Sequence, residues 1–287
     1  MTSSDPRTFA VGIGSRVFGL QFLEAGPWLP LVRERLKGFE RAGTVDWTLV
    51  VEVVRHNHHF DPRPRFQWDG DAFQLEFSTF RAKSQGTEGR IRGTVLDSGN
   101  PEDVAEWTLS LLRSLATELL RKDDTLVFHA AALTMTSSLG VLVVGPRGAG
   151  KTTFASGSWV QSRYSDDHGM VRWDDSPWLV GVPFTGREHR PTQVGRSLLD
   201  VIALPVHGEP GHAPICTQLS RRDATQMLLE HLICIDDAPE TFTRNLTNVL
   251  KLVDTVPVIS LRYHPNTSSE DVSASLIQAT AALQKAS

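Results

Sequence analysis

Short stretches of alternating hydrophobic and polar residues dominate the first third of the chain. Trp47, Leu49, Val51 and Val53 share one parity, which is the pattern of a half-buried β-strand. Similar stretches bounded by Gly, Asp, Asn or Pro predict further strands. The predicted strands cover residues 9–13, 17–22, 46–54, 66–68, 72–77 and 91–95. Together with one helix predicted over 30–41, they indicate a β-rich N-terminal subdomain over residues 1–99.

The periodicity changes at Asn100. Asn100 is a suitable N-cap, Pro101 suits the first helical position, and hydrophobic residues then recur at helical spacing as far as about Arg121. Predicted strands and helices alternate afterwards, which is typical of an α/β domain over residues 100–287. The clearest of these are strands at 126–133, 140–144 and 256–263, and helices at 220–233, 239–253 and 268–285.

Composition excludes several classes of protein. Of 287 residues, 40% are hydrophobic and 22% are charged, as in ordinary folded proteins. Lys and Arg number 29 against 33 Asp and Glu, so no basic excess indicates nucleic-acid binding. Cys216 and Cys234 are too few for a disulfide framework and are predicted to be buried in a reducing compartment. With no signal peptide or membrane-spanning run visible, we expect a cytoplasmic protein without a membrane partner.

A glycine-rich loop follows the apolar stretch 140–144. Residues 145–152 read Gly-Pro-Arg-Gly-Ala-Gly-Lys-Thr, which matches the phosphate-loop pattern G-x-x-x-x-G-K-[ST]. Glycines let backbone N–H groups surround a phosphate, the lysine reaches the β- and γ-phosphates, and the hydroxyl can ligate Mg²⁺. A helix is predicted to start near Lys151, and residues 153–160 are compatible with its continuation. The predicted nucleotide-binding residues are Gly145, Arg147, Gly148, Ala149, Gly150, Lys151, Thr152 and Thr153.

Such a loop needs an acidic partner, and two adjacent pairs compete for that role. The segment between Lys151 and Asp166-Asp167 is long enough for a helix, a turn and a short strand. Asp174-Asp175 would lie farther along the chain, beyond a hairpin. We favour the first pair and expect it at the end of a strand beside the phosphate strand. Two adjacent carboxylates favour phosphoryl transfer to an alcohol, because one can bind metal while the other accepts a proton.

Four linked segments resemble the kinase domain of HPr kinase/phosphorylase and its relatives. They are Phe128-His129-Ala130-Ala131-Ala132, residues 140–153, Tyr164-Ser165-Asp166-Asp167 and Gly181-Val182-Pro183-Phe184. Asp166-Asp167-His168-Gly169 is also similar to a segment of ATP-dependent phosphoenolpyruvate carboxykinase. The stronger matches span residues 126–186. Pro146-Arg147 departs from the family pattern, and the segment that HPr kinase uses for its carrier protein is not found.

The resemblance implies a P-loop kinase domain with a mixed sheet, using ATP and Mg²⁺ to phosphorylate a hydroxyl. By position, Asp166 would be the general base, Asp167 and Thr152 would lie on the metal side, and Lys151 and His129 would contact the transferred phosphate. Some relatives accompany peptide natural-product gene sets and phosphorylate a serine of a lasso peptide, and the resemblance leaves peptide, protein and small-alcohol acceptors open. A homo-oligomer is compatible with the sequence.

Other features leave alternatives open. A nucleotide-gated regulatory or scaffold protein would share the loop but transfer no phosphate, and a decarboxylating carboxykinase is disfavoured by the short chain. Three downstream arginines, Arg187, Arg190 and Arg196, are candidates for stabilising phosphate charge. The run His56-Asn57-His58-His59 lacks regular ligand spacing and is interpreted as a solvated loop rather than a metal site.

Overall fold

The computed structural model describes residues 5–55, 65–85, 89–185 and 191–284, and these form two compact units. The first unit runs to Lys122 and also contains Cys234–Ala238. The second contains Asp123–Ile233 and the residues from Pro239 onward. The boundary predicted between residues 99 and 100 lies before this division, because the helix that starts at Pro101 packs on strands of the first unit.

The first unit is built on a mixed sheet. Its strands within the described residues are β1 (Thr8–Ile13), β2 (Arg16–Phe22), β3 (Trp47–Arg55), β4 (Arg65–Asp69), β5 (Ala72–Glu76), β6 (Phe80–Gln85) and β7 (Arg90–Asp97). Their order across the sheet is β1-β2-β3-β7-β6-β5-β4, with β3 parallel to β2 and β7. The six predicted strands are confirmed. β6 was not predicted, because Phe80 and Ala82 are its only hydrophobic residues and their alternation is too short to mark a strand.

Two helices, α1 (Leu29–Leu36) and α2 (Pro101–Leu120), belong to the same unit. α1 ends earlier than predicted because Lys37 leaves the helical conformation and Gly38 follows with a φ of 86°. The predicted start of α2 is confirmed: the Asn100 side chain accepts a hydrogen bond from the Glu102 amide at 3.1 Å. A 3-10 turn, Arg121–Asp123, follows α2.

The second unit contains two further sheets. Its strands within the described residues are β8 (Thr125–Phe128), β9 (Ala130–Met135), β10 (Gly140–Val144), β11 (Val160–Ser165), β12 (Gly169–Trp173), β13 (Pro177–Val180), β14 (Arg196–Leu198), β15 (Val201–His207), β16 (Ile215–Gln218) and β17 (Val258–Tyr263). One sheet has the order β11-β9-β10-β15-β17-β16 and the other β14-β13-β12-β8. The larger sheet is mixed, since β10, β11, β15 and β17 run in one direction while β9 and β16 run the other way.

The helices of the second unit are α3 (Lys151–Phe154), α4 (Arg221–His231), α5 (Pro239–Thr255) and α6 (Ser269–Gln284). Alternate residues of the larger sheet enter two hydrophobic clusters, as strand geometry requires. Leu142 and Ile202 share one cluster with residues of the smaller sheet, α4 and α5. Val143 and Ala203 share the other with Phe154, Trp159 and residues of α6. The chain therefore has an α/β architecture with mixed sheets.

Three sequence-based expectations are wrong in this unit. The single strand predicted over 126–133 is broken at His129, and its halves β8 and β9 lie in different sheets. The hairpin predicted after Asp166 does not form, because β11 and β12 also lie in different sheets. The helix predicted from near Lys151 does start there, but its expected continuation through 153–160 is wrong, because α3 ends after four residues and the chain turns, with the Trp159 indole donating to the Phe154 carbonyl.

The cysteines differ from their predicted burial. Cys216 is partly buried, whereas Cys234 is exposed and its sulfur lies 2.8 Å from Arg121 Nη1. No helix in the described part of the chain is long and apolar enough to cross a membrane.

Candidate active site

The glycine-rich loop follows β10 at the carboxyl end of the parallel strands, where ligands bind in open α/β sheets. Gly148 and Gly150 have φ angles of 83° and 95°, which side chains with a Cβ rarely adopt. The Ala149 amide closes the turn on the Pro146 carbonyl at 3.1 Å. Among the described residues, the amides of Gly148 and Gly150 donate to no protein acceptor, so they are available to an anion.

Chain crossings between the two sheets place the other polar residues beside this loop. His129 joins β8 to β9, and residues 166–168 join β11 to β12. Because β8 pairs with β12 and β9 pairs with β11, the two crossings run side by side. Ala130 pairs with Val144, which brings the first crossing to the start of the loop. Asp166 and Asp167 were predicted to follow a strand that neighbours β10. This is wrong, because they follow β11 and β9 lies between β11 and β10.

A cleft of about 560 Å³ collects most of the predicted residues. It is lined by His129, Arg147, Gly148, Gly150, Lys151, Thr152, Thr153, Asp166, Asp167 and His207. Gly145 and Ala149 belong to the loop but do not line the cleft. One continuous cleft thus joins a glycine-rich loop, a lysine, hydroxyl groups and an acidic pair.

Lys151 is the buried cation of the cleft, with only 8% of its surface exposed. Its Nζ donates to the carbonyls of Gly145 at 2.6 Å and Pro146 at 3.1 Å. Burial lowers the pKa of Lys151, and the nearby negative charge of Asp167 acts in the opposite direction. A poorly hydrated ammonium interacts strongly with an incoming phosphate, because less water must be displaced.

Asp167 is held by His129, whose Nδ1 lies 3.0 Å from the Asp167 Oδ1. Asp166 is more buried, with 6% exposure. Their turn is fixed by the Ser165 hydroxyl, which accepts from the His168 amide at 2.7 Å. A Cβ at Gly169 would lie 2.7 Å from Leu142 Cδ1, so glycine is required for this close approach to the sheet.

Two residues near the loop were not predicted as site residues from the sequence. His207 ends β15 and lines the cleft. A glycine- and proline-rich stretch follows it, and the hydrophobic pattern did not mark His207 as a site residue. Tyr263 ends β17, and its hydroxyl lies 3.9 Å from the place a Cβ would take at Gly150. Burial raises the pKa of Tyr263 to about 12, so the phenol is neutral at physiological pH. The parallel pairing of β10, β15 and β17 explains why both residues reach the loop.

His231 contacts His129, the residue that joins β8 to β9. Its carbonyl accepts from the His129 amide at 2.8 Å, which helps to position His129. Burial lowers the pKa of His231, and the positive charges of Lys151 and His129 lower it further. Position 231 ends α4, and the helical pattern alone did not mark it.

The competing acidic pair and one candidate arginine lie elsewhere. Asp174 forms ion pairs with Arg172 at 2.9 Å and Arg196 at 3.0 Å, and neither Asp174 nor Asp175 lines the cleft. Arg196 also stacks on Trp178 at 4.3 Å from the ring centroid. Arg187, Arg190 and the run His56-Asn57-His58-His59 lie outside the described residues. In the described ranges, the cleft included, no group of three or more His, Cys, Asp or Glu side chains could hold a metal.

Comparison with known proteins adds no family assignment. No protein-family model matches the chain, and no curated protein matches it with significant similarity. The resemblance to HPr kinase/phosphorylase therefore rests on the four sequence segments alone.

Proposed function

We propose that this protein is a Mg²⁺-dependent kinase that transfers the γ-phosphoryl group of ATP to a hydroxyl. The observation that carries the proposal is the single cleft shared by the glycine-rich loop, Lys151 and Asp166-Asp167. The mixed sheet agrees with a P-loop kinase of the HPr kinase/phosphoenolpyruvate carboxykinase type, which is the fold assignment that we propose.

The loop and Lys151 would bind the phosphates of ATP. The Gly148 and Gly150 amides are available as donors, and Lys151 needs only to exchange two loop carbonyls for phosphate oxygens. The helix dipole contributes little, because α3 has only four residues. Phosphate affinity in this proposal therefore comes mainly from backbone amides and one desolvated ammonium.

The oxygen-rich side of the cleft suits Mg²⁺, which prefers carboxylate, hydroxyl, water and phosphate oxygens. Thr152 and Asp167 would hold it, with Asp167 already oriented by His129. When bound, the ion would neutralise part of the charge on the phosphates.

Asp166 is the proposed general base. It is the more buried carboxylate of the pair and lines the same cleft, so it can accept the proton of an acceptor hydroxyl as that oxygen attacks the γ-phosphorus. His129 and Lys151 would stabilise the transferred charge. The acceptor class stays open between a serine of a peptide or protein and a small alcohol.

Transfer of label from γ-labelled ATP to peptides, proteins and small alcohols encoded or made beside the gene tests this assignment. Asp166→Asn is expected to lower transfer about a hundredfold or more while Mg²⁺-ATP still binds. Asp174→Asn is the matched control, since Asp174 lies outside the cleft, and it should retain transfer. Nucleotide binding without any transfer, combined with nucleotide-dependent partner binding, would instead support a regulatory or scaffold protein.

A further inference from the structure

One face of the first unit's sheet carries a row of cations that lack compensating carboxylates. β7 and β6 place Lys83 directly opposite Arg92, and Arg90 lies on the same face two residues before Arg92. All three side chains are exposed. Throughout the described ranges, no carboxylate forms an ion pair with any of them. We call Lys83, Arg90 and Arg92 the basic row.

In the neighbouring row of side chains on the same face, opposite charges alternate, so within these two rows the unpaired cations are confined to the basic row. There, Glu76 lies between Arg65 and Arg81 in register, so opposite charges alternate across β4, β5 and β6. In the basic row, the corresponding positions on β5 and β4 are Gln74 and Gln67. Like charges directly opposite one another destabilise a sheet. The basic row therefore costs stability that the adjacent row does not.

We propose that the basic row is a docking surface for an acidic peptide segment in extended conformation. Arg90 and Arg92 are alternate residues of one strand, so their spacing equals that of alternate carboxylates along an extended peptide. The exposed amides of Gln74 and Gln67 add donors and acceptors for the backbone or side chains of such a segment.

Other polyanions fit this face less well. Single-stranded nucleic acids need aromatic platforms, but Phe66, Phe73 and Phe80 are buried on the opposite face. A membrane surface is disfavoured because the large exposed hydrophobic side chains lie outside β3 to β7 in the described ranges. The surface is independent of the proposed phosphoryl transfer, so either proposal can fail without the other.

Fluorescence anisotropy with a labelled peptide of alternating Glu and Thr tests the surface on the full chain. The peptide should bind at low salt, lose affinity about tenfold at high salt, and bind far better than a matched Gln-Thr peptide. Failure of the acidic peptide to bind at low salt, or equal binding of the Gln peptide, overturns the proposal.

Lys83→Glu separates docking from folding. It should lower peptide affinity about tenfold while raising the thermal midpoint, because the introduced carboxylate would face Arg92 as an opposite charge. Binding of fluorescent ATP should not change. Lys37→Glu makes the same charge reversal beyond α1 and should leave peptide affinity within about twofold.

Three results of this comparison contradict docking at the basic row. They are unchanged peptide affinity in a folded Lys83→Glu protein, an equal loss in Lys37→Glu, and tighter Lys83-dependent binding of phosphatidylserine vesicles or single-stranded DNA than of the peptide. The first would exclude the row itself, the second would show an effect of net charge, and the third would identify a different partner.

Discussion

At the scale of single residues, Lys151 is the side chain on which the proposed nucleotide binding by the loop most depends. Its ammonium is buried and hydrogen-bonded to loop carbonyls, in a position where a lysine without a phosphate is costly to retain. Burial favours the neutral amine and Asp167 favours the charged one. A bound phosphate would add a second negative partner and hold the lysine in its charged form.

Lys151→Met should weaken Mg²⁺-ATP binding about tenfold or more, because methionine preserves the stem but removes the charged donor. Isothermal titration calorimetry measures the change. Lys251→Met is the control, since Lys251 stacks on Trp173 at 3.9 Å and does not line the cleft. Equal affinities of wild type and Lys151→Met would exclude the loop as the phosphate site.

Candidate site residues were easier to predict from the sequence than the contacts that bring them together. The loop, Lys151 and Asp166-Asp167 were identified because each carries a local motif. His207, His231 and Tyr263 were missed because each ends a helix or strand whose hydrophobic pattern gives no signal for its last residue. His207 and Tyr263 reach the loop through parallel strand pairing, and His231 is linked to His129 by a backbone hydrogen bond. Periodicity encodes neither relation.

At the scale of elements, α2 is tied to a distant segment by buried charges. Arg121 Nη2 lies 2.6 Å from Glu118 Oε2 and 3.0 Å from Asp236 Oδ2, and all three side chains are almost fully buried. The Glu118–Arg121 contact lacks hydrogen-bond alignment, although Glu118 Oε1 accepts from the Ile235 amide at 2.8 Å. This cluster explains why Cys234–Ala238 groups with the first unit.

Arg121→Met should destabilise the protein by about 3 kcal/mol or more, because two buried carboxylates would lose their counter-ion. Urea unfolding monitored by circular dichroism measures the change. Lys37→Met removes the exposed pair with Glu34 and should change stability by less than about 0.5 kcal/mol. A similarly small effect for Arg121→Met would show that the cluster does not stabilise the fold.

Glu118 should also make stability depend on pH. Burial raises the pKa of Glu118 above its ordinary value of 4.5, despite the opposing charge of Arg121. The carboxyl therefore takes up a proton on folding between the two pKa values, so its contribution to stability is complete below 4.5 and is lost as the pH rises through the folded value.

Glu118→Gln removes this titration. The stability of wild type relative to Glu118→Gln should therefore fall as the pH rises from 4.5 through the raised pKa of Glu118. Urea titrations across that range provide the comparison, with Glu106→Gln, at a partly exposed carboxylate, as control. A wild-type-to-variant difference that is flat with pH would contradict the burial argument.

Element types were largely predictable, and their partners were not. The Asn100 cap marked a real helix start, and the helix predicted from residue 220 begins at Arg221. The break at His129 was invisible, because Leu126 to Leu133 reads as a nearly continuous apolar stretch and nothing local shows that its halves enter different sheets. That break is the feature that brings His129 to Asp167.

At the scale of the whole molecule, the net charge does not indicate where the cationic side chains cluster. The chain has a formal charge of −4, yet both proposed anion sites contain cations. At the cleft these are the buried Lys151 and the exposed Arg147, beside Asp166 and Asp167, whereas at the basic row they are three exposed side chains. Composition could exclude a broadly basic surface but could not locate either site, because each depends on which residues the sheets bring together.

The most direct test of the central proposal compares phosphoryl transfer and Mg²⁺-ATP binding in wild type, Asp166→Asn and Asp174→Asn, with γ-labelled ATP and the acceptor panel. We predict label on a hydroxyl with wild type and Asp174→Asn, and a loss of about a hundredfold or more with Asp166→Asn, while all three bind Mg²⁺-ATP. Wild-type transfer by Asp166→Asn, or the absence of Mg²⁺-ATP binding by the wild-type protein, would contradict the account.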